Sequence, residues 1–282
     1  MNLQVSGRYY RHSGAFGFQG LVYMLAFGAV AAVVLGLVYA YSTEYIPLVY
    51  LNMLLVIAYG AGVGACVHFG AKWGKVRNGS LLLLGGAVAG LMAEYTNWVW
   101  WVFAYTKQEV FIYMPADLWQ AIQDVNEQGA WSVFGSTPTG WELWAYWGLE
   151  ALVIVGLSSF AAWVTLSSLP FCETCGRWAD HKDSLSPLDA VSDPQAFKSK
   201  LELGDYTSVK SLRKLPEEGT GYTTVILQNC PACTASNFLT VQAVTVSRDK
   251  KGKISRSTAN ILQNLVLNAD TYRSIRSALL AS

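Results

Sequence analysis

Residues 81–103 read LLLLGGAVAGLMAEYTNWVWWVF, and Glu94 is the one charged residue among them. At about 1.5 Å per residue, an α-helix of this length covers the roughly 30 Å hydrocarbon core of a bilayer. Apolar runs as long as this are typical of transmembrane helices. The stretch therefore predicts a helix that spans a membrane.

Three further apolar blocks of similar length occur in the chain, at 18–41, 46–70 and 143–169. The first block is longer than the apolar core of about 7 to 15 residues in a cleavable signal peptide, so we interpret it as a retained span. Of the 282 residues, 52% are hydrophobic and 14% are charged, which makes an ordinary soluble domain a poor fit. We predict an all-α four-helix transmembrane bundle over residues 18–169, followed by a soluble domain.

The basic residues are distributed unevenly between the two sides of these spans. Lys72, Lys75 and Arg77 lie between the second and third spans, whereas Lys107 is the one Lys or Arg between the third and fourth. Cytoplasmic segments carry the excess of Lys and Arg, so we expect a multi-pass protein of the plasma (inner) membrane with both termini, including segment 1–17, in the cytoplasm. The three basic residues suit anionic lipid headgroups, and ordinary topology anchoring explains them equally well.

The segment 104–142, between the third and fourth spans, is rich in tryptophan. Within it, residues 116–126 place Trp119, Ile122 and Val125 at helical spacing, which predicts an amphipathic helix lying in the membrane interface. Tryptophan concentrates at the boundary between membrane and water. We interpret the segment as an interfacial, extracytoplasmic loop anchored by its aromatic rings. A ligand-binding aromatic cap is the alternative.

Small residues recur at every fourth position in the predicted spans. Gly60 and Gly64 have this spacing in the second span, and Gly86 and Gly90 have it in the third. Because lipid is as apolar as leucine, helices in a bilayer associate through close packing of such residues. We expect these faces to contact other helices.

Polar residues inside the predicted spans are the candidate functional residues of the bundle, because they are rare in a bilayer and usually face other helices. Glu94 and Glu150 are predicted at similar depth, and Asn52 and Asn97 belong to the same layer. No Lys or Arg occurs in an outer half-span, which indicates protonated carboxyls or a bound cation. Two interpretations stay open: a packing layer that fixes helix register, and a proton or cation pathway.

Four cysteines form the strongest motif of the chain, and they lie in the polar segment after the fourth span. They form two Cys-x-x-Cys pairs, Cys172 with Cys175 and Cys230 with Cys233. This spacing lets both thiolates of a pair reach one zinc ion at about 2.3 Å, and four thiolates complete a closed structural site. In a reducing cytoplasm, metal binding is favoured over disulfides. We predict a structural Zn²⁺ held by the four cysteines.

The paired motif resembles the broad zinc-ribbon class, with a longer segment between the pairs than ribbons usually have. The resemblance covers the tail alone and implies a cytoplasmic α+β zinc-ribbon-like domain, residues 170–282, with a helical insertion. A redox dithiol, and a site in which His181 replaces one cysteine, are the alternatives to a four-cysteine zinc site.

The tail also predicts helices and strands around the cysteines. Asp193 followed by Pro194 is typical of a helix start. The predicted elements are a helix from Pro194 to about Gly204, a helix at 206–215, strands at 222–227 and 238–246, and a terminal helix from about Ala269.

An enzyme is not expected, because the sequence has no glycine-rich phosphate loop, no His-Glu-x-x-His helix and no Gly-x-Ser-x-Gly elbow. Cys172 follows the predicted fourth span by only Pro170 and Phe171, which places the zinc site at the membrane surface. The first hypothesis is a membrane anchor or sensor that holds the zinc module there to recruit or signal to a protein partner. The second is a homo-oligomeric ion or proton channel gated by that module.

Nucleic acid is a weaker candidate partner for the tail. Lys250, Lys251 and Lys253 form a short basic cluster. The small positive net charge of the tail is more typical of a solvated surface than of a nucleic-acid footprint. The expected partners are the lipid bilayer, further copies of the chain and a cytoplasmic protein.

Overall fold

A computed structural model describes residues 9–46, 48–132, 135–167, 169–217, 219–233, 235–249 and 252–281. The chain divides into two compact units, a helical unit, Ser13–Ser167, and a tail domain, Ser168–Ser282 together with Met1–His12. The predicted N-terminal segment 1–17 is therefore shared between the two units. Lys250 and Lys251 of the basic cluster lie outside the described residues.

Four long helices make up most of the helical unit, and a shorter helix lies between the last two. They are α1 (Phe18–Tyr45), α2 (Val49–Trp73), α3 (Gly79–Tyr105), the shorter α4 (Pro115–Gln128) and α5 (Trp141–Ser167). All four long helices are long and apolar enough to cross a membrane. Helix α1 begins where predicted and ends later, and α3 runs beyond both ends of its predicted span. Helix α2 begins and ends later than predicted, and α5 begins and ends earlier.

Close contacts at glycine hold the long helices together. Helices α1 and α5 each pack against both α2 and α3, so they occupy opposite corners of the bundle. A Cβ atom placed on Gly86 would lie 2.6 Å from the carbonyl oxygen of Ser158, and one placed on Gly64 would lie 2.8 Å from the Cβ of Ala161. Neither position has room for a side chain. The predicted small-residue faces are therefore the contact faces of the helices.

Helix α4 packs against the ends of α3 and α5. Its buried side chains include Leu118 and Ile122, which join a cluster with Leu143 and Trp147 of α5. Trp119, on the predicted apolar face, is 53% exposed. The predicted helix is confirmed with slightly wider bounds, and the apolar side chains that it buries against neighbouring helices are Leu118 and Ile122.

The tail domain is built on an antiparallel sheet in the order β3-β4-β5-β6. Its strands and helices are β1 (Phe171–Cys172), β2 (Arg177–Trp178), β3 (His181–Leu188), α6 (Pro194–Glu202), α7 (Thr207–Lys210), β4 (Gly221–Asn229), β5 (Asn237–Arg248), β6 (Ile254–Leu267) and α8 (Ala269–Ala281). Strands β1 and β2 form a separate hairpin.

One face of this sheet carries the core of the tail domain. Leu227 of β4 and Leu239 of β5 are fully buried there against Leu201 of α6 and Ile275 of α8. The N-terminal segment adds to this core, since Tyr9 forms a bridge to β6 and packs on the same cluster. The domain therefore has a hydrophobic core of its own, independent of the cysteines.

Predictions for the tail were only partly correct. The strands at 222–227 and 238–246 and the helix start at Asp193, whose side chain caps α6, are confirmed. The predicted helix at 206–215 is wrong beyond Lys210. The chain there pairs with β3 instead, with Leu215 N donating to the Pro187 carbonyl at 2.9 Å. Strands β3 and β6 were not predicted.

Candidate metal centre

The first cysteine pair lies on the β1–β2 hairpin. Cys172 pairs with Arg177 across the hairpin, and Cys175 lies in the turn between them. Gly176 closes this turn with a φ of +60°, a left-handed conformation that glycine adopts without strain. The hairpin therefore carries both thiols, one on a strand and one in the turn.

The second cysteine pair lies in the connection between β4 and β5. Asn229 ends β4 and pairs with Asn237 of β5, and the Cys230 amide donates to the Ser236 carbonyl at 3.0 Å. His181, at the start of β3, also pairs with Asn229. Because β3 follows the first hairpin after two residues, this register brings the first pair beside the second.

The four thiols lie close enough to share one metal ion. The Sγ atoms of Cys172, Cys175, Cys230 and Cys233 are all within 4.8 Å of one another. The Cys172 and Cys233 sulfurs are 3.6 Å apart, far beyond a disulfide bond of about 2.05 Å. Four sulfurs around a tetrahedral zinc at about 2.3 Å would be separated by about 3.8 Å. The cluster is therefore of the right size for a metal ion.

The environment of the cluster favours ionised sulfur on Cys172. Burial raises the pKa of the Cys172 thiol, but hydrogen bonds from Ser236, the Cys175 backbone and the other thiols outweigh it, and the pKa falls to about 7. A hydrogen bond between Cys175 and Cys233 raises the pKa of the Cys175 thiol to about 12. Burial raises the pKa of the Cys230 thiol. The Cys172 thiolate is thus stabilised by hydrogen bonds from the other, protonated thiols. A bound cation would take the place of those protons.

The cluster consists of cysteines alone. Within the described residues, the group that could share a metal does not include His181, whose side chain is exposed at the start of β3. Cys66, the remaining cysteine, lies in α2 of the helical unit. The site predicted with His181 in place of a cysteine is therefore not favoured.

The predicted acids of the helical unit each have one hydrogen-bonded oxygen. Tyr39 Oη donates to Glu150 Oε1 at 2.7 Å, and Trp98 Nε1 donates to Glu94 Oε1 at 2.9 Å. Tyr59 stacks on Tyr39 with ring centroids 4.9 Å apart. Sequence reasoning missed both tyrosines. Tyr39 lies near the end of its predicted span, where aromatic residues are usually interfacial, and nothing in the sequence pattern joins Tyr39 to α5 or Tyr59 to Tyr39.

The helix contacts place Glu94 and Glu150 at the same level. A Cβ on Gly90 would lie 2.8 Å from the Cα of Val155, and α3 and α5 run in opposite directions, so Glu94 lies opposite Glu150. Asn97 follows Glu94 by one turn and is buried. Asn52 lies near the start of α2, where its Nδ2 donates to the Ile46 carbonyl at 3.4 Å.

The predicted basic residues lie at the turn between α2 and α3. Lys72 is in the last turn of α2, and Lys75 follows with a φ of +53°. Arg77 is tied to the start of the helical unit, since its amide donates to the Ala15 carbonyl at 2.9 Å and its Nε donates to Ser13 Oγ at 3.3 Å. Arg77 therefore also fixes the chain that leads into α1.

No protein-family model, curated protein or solved structure matches the chain. The function proposed next therefore rests on the residues of this chain.

Proposed function

We propose that the protein is a multi-pass membrane anchor whose tail domain is stapled by a structural zinc ion and binds a protein partner in the cytoplasm. The observation that carries this proposal is the cluster of four cysteine sulfurs within 4.8 Å of one another. Two separate parts of the tail domain supply those sulfurs, the β1–β2 hairpin and the β4–β5 loop. A shared ion would therefore cross-link segments distant in sequence.

The donor set supports zinc and a structural role. Thiolates are soft ligands and select zinc over hard cations such as Mg²⁺ or Ca²⁺. Four protein ligands fill a tetrahedral zinc, leaving no position for water or substrate. When bound, the ion would supply cross-linking and charge neutralisation. The chain's own contribution is the register of β3 with β4, which keeps the pairs together.

The surface of the helical unit supports a location in a membrane. Large apolar side chains point outward from all four long helices, with exposures of 60% or more for Val30, Leu54, Leu84 and Leu152. Soluble monomers rarely expose contiguous apolar surface on this scale, whereas lipid solvates it without cost. The distribution of Lys and Arg supports cytoplasmic termini.

The short connection between the two units supports an anchoring role. Helix α5 ends at Ser167, and Cys172 of the cluster follows after four residues. In the helical unit, the hydrogen bond between Tyr39 and Glu150 joins helices at opposite corners. A hydrogen bond that crosses the interior of one bundle favours a membrane anchor over an ion-conducting path.

Metal analysis of the full-length protein in detergent tests the proposal. We expect about one zinc per chain in the wild type and its loss in Cys230→Ser, because three thiolates bind zinc far more weakly than four. The matched control is Cys66→Ser, which alters the cysteine outside the cluster and should keep its zinc. Less than half a zinc per chain in the wild type, or equal zinc in Cys230→Ser, would contradict the metal site.

The same three proteins test the role of the tail in binding a partner. Reconstituted in nanodiscs, the wild type and Cys66→Ser should recover the same cytoplasmic protein, and Cys230→Ser should lose it. Recovery of an identical set by all three would reject recruitment through the zinc-stapled domain.

A further inference from the structure

Two buried oxygen atoms of α3 are acceptors without a donor. Glu94 Oε2 and Asn97 Oδ1 are inaccessible and have no hydrogen-bond partner among the described residues. The two residues are three positions apart, so they lie on neighbouring parts of one helix face. Asn97 is only 6% exposed. A buried acceptor without a donor destabilises the folded protein. This pair of oxygen atoms is therefore suited to a ligand that accepts an electron pair.

The contacts of α3 show that these oxygens face the interior of the bundle. Thr96 Oγ1 donates to the Ala32 carbonyl of α1 at 2.8 Å, and Trp98 packs edge-on against Trp147 of α5 at 4.8 Å. Asn97 lies on the helix wheel between the face toward α1 and the face toward α5. Its side chain therefore points into the centre.

A second carboxylate and a hydroxyl occupy the same level. Glu150 lies opposite Glu94 in the register of α3 and α5, and the two repel each other when both are ionised. Tyr39 reaches Glu150 from the opposite corner of the bundle. Having donated its proton, the Tyr39 oxygen keeps its lone pairs. Oxygen atoms from three helices thus lie at one level of the bundle.

The helices provide no cation to balance these acids. Helices α1, α3 and α5 contain no Lys, Arg or His in their sequences. In α2, the contact of Gly60 with Ile154 places Val56 level with Glu150. His68 and Lys72 of α2 then lie about 18 Å or more farther along the helix, at 1.5 Å per residue. A buried carboxyl group that stays ionised is normally paired with a cation or bound to a metal.

We propose that Glu94, Glu150 and Asn97 bind one hard divalent cation of the Ca²⁺ type inside the helical unit, with the Tyr39 oxygen as a further ligand. Carboxylate, amide and hydroxyl oxygens are the ligands that such ions prefer. A divalent ion neutralises both acids, whereas a monovalent ion leaves a net charge in an apolar interior. The site differs in donor chemistry from the thiolate cluster, so it does not depend on zinc binding in the tail.

Thermal unfolding of the full-length protein in detergent tests the site. Tryptophan emission is recorded at about pH 8 in choline chloride of constant ionic strength, with added CaCl₂, MgCl₂ or NaCl. We expect a saturable rise in the midpoint with CaCl₂ in the wild type. In Glu94→Gln and Glu150→Gln, the apparent affinity should fall at least about tenfold. The matched control is Glu142→Gln, an exposed acid at the start of α5, which should respond as the wild type does.

Asn97→Ala provides a variant that keeps both carboxylates, in case a glutamine variant does not fold. It should unfold cooperatively and bind Ca²⁺ more weakly than the wild type. The absence of a Ca²⁺-dependent shift in the wild type would overturn the site. An undiminished shift in both Asn97→Ala and a folded glutamine variant would also overturn it, and a response to NaCl without one to CaCl₂ would overturn the divalent assignment.

Discussion

The helical unit and the tail domain bury their chains in different ways. In the helical unit, glycine lets backbones approach closely, as Gly64 and Gly86 do on either side of Ser158. In the tail domain, branched side chains such as Leu227 and Ile275 fill a core between a sheet and helices. The first arrangement depends on the absence of side chains, and the second depends on their volume. The two units should therefore respond to opposite kinds of substitution.

The largest effect is expected where volume is removed from the tail core. Leu227 is fully buried in β4, so Leu227→Ala should destabilise the tail by about 2–5 kcal/mol through lost burial and a residual cavity. Hydrogen exchange of the full-length protein should show faster exchange in β4 and β5 with little change in α1 to α5. Equal loss of protection in the long helices would mean that the two units do not unfold separately.

A smaller effect is expected where volume is added to the helical unit. Gly64→Ala places a methyl group against Ala161 and the backbone of Ser158, and overpacking of this kind costs about 1–3 kcal/mol. The midpoint of thermal unfolding, followed by tryptophan emission, should fall. Gly156→Ala in α5 is the control, since no atom lies within 4 Å of the added Cβ. If Gly64→Ala and Gly156→Ala behaved alike, close glycine packing would not be what holds these helices.

The smallest effect is expected at a helix end in the tail. The Asp193 carboxylate accepts hydrogen bonds from the amides of Gln195 and Ala196 at 3.0 Å each. Asp193→Ala should destabilise α6 by about 1 kcal/mol, because two amides of the first turn lose their acceptor. Exchange of those amides is the measurement, and Asp193→Asn should restore most of the protection. Unaltered exchange in Asp193→Ala would show that the cap contributes nothing to α6.

The long helices and the cysteine pairs could be predicted because each has a strong local signal. An apolar run such as residues 81–103 specifies a helix whatever surrounds it, and a Cys-x-x-Cys pair specifies a ligand geometry. Strand β6 gave no such signal, since its first half, from Ile254 to Asn260, is exposed and mostly polar. Strand β3 is also polar and alternates weakly.

The remaining errors come from contacts between residues distant in sequence. Residues after Lys210 carry a helical pattern, but pairing with β3 overrides it, as the bridge between Leu188 and Lys214 shows. In the helical unit, Glu94 and Glu150 stood out from the sequence because acids are rare in apolar helices. Tyr39 did not stand out, because its role depends on which helix lies across the interior.

Tryptophan is divided unequally between the two units, so the fluorescence of the protein comes mostly from one of them. Of the 11 tryptophans, all but Trp178 lie in the helical unit. Trp178 packs edge-on against Phe171, directly beside Cys172 on the same hairpin. Replacing Trp178 with Phe would therefore leave an emission spectrum that belongs wholly to the helical unit. The difference from the wild-type spectrum isolates one indole that reports on the cysteine hairpin alone.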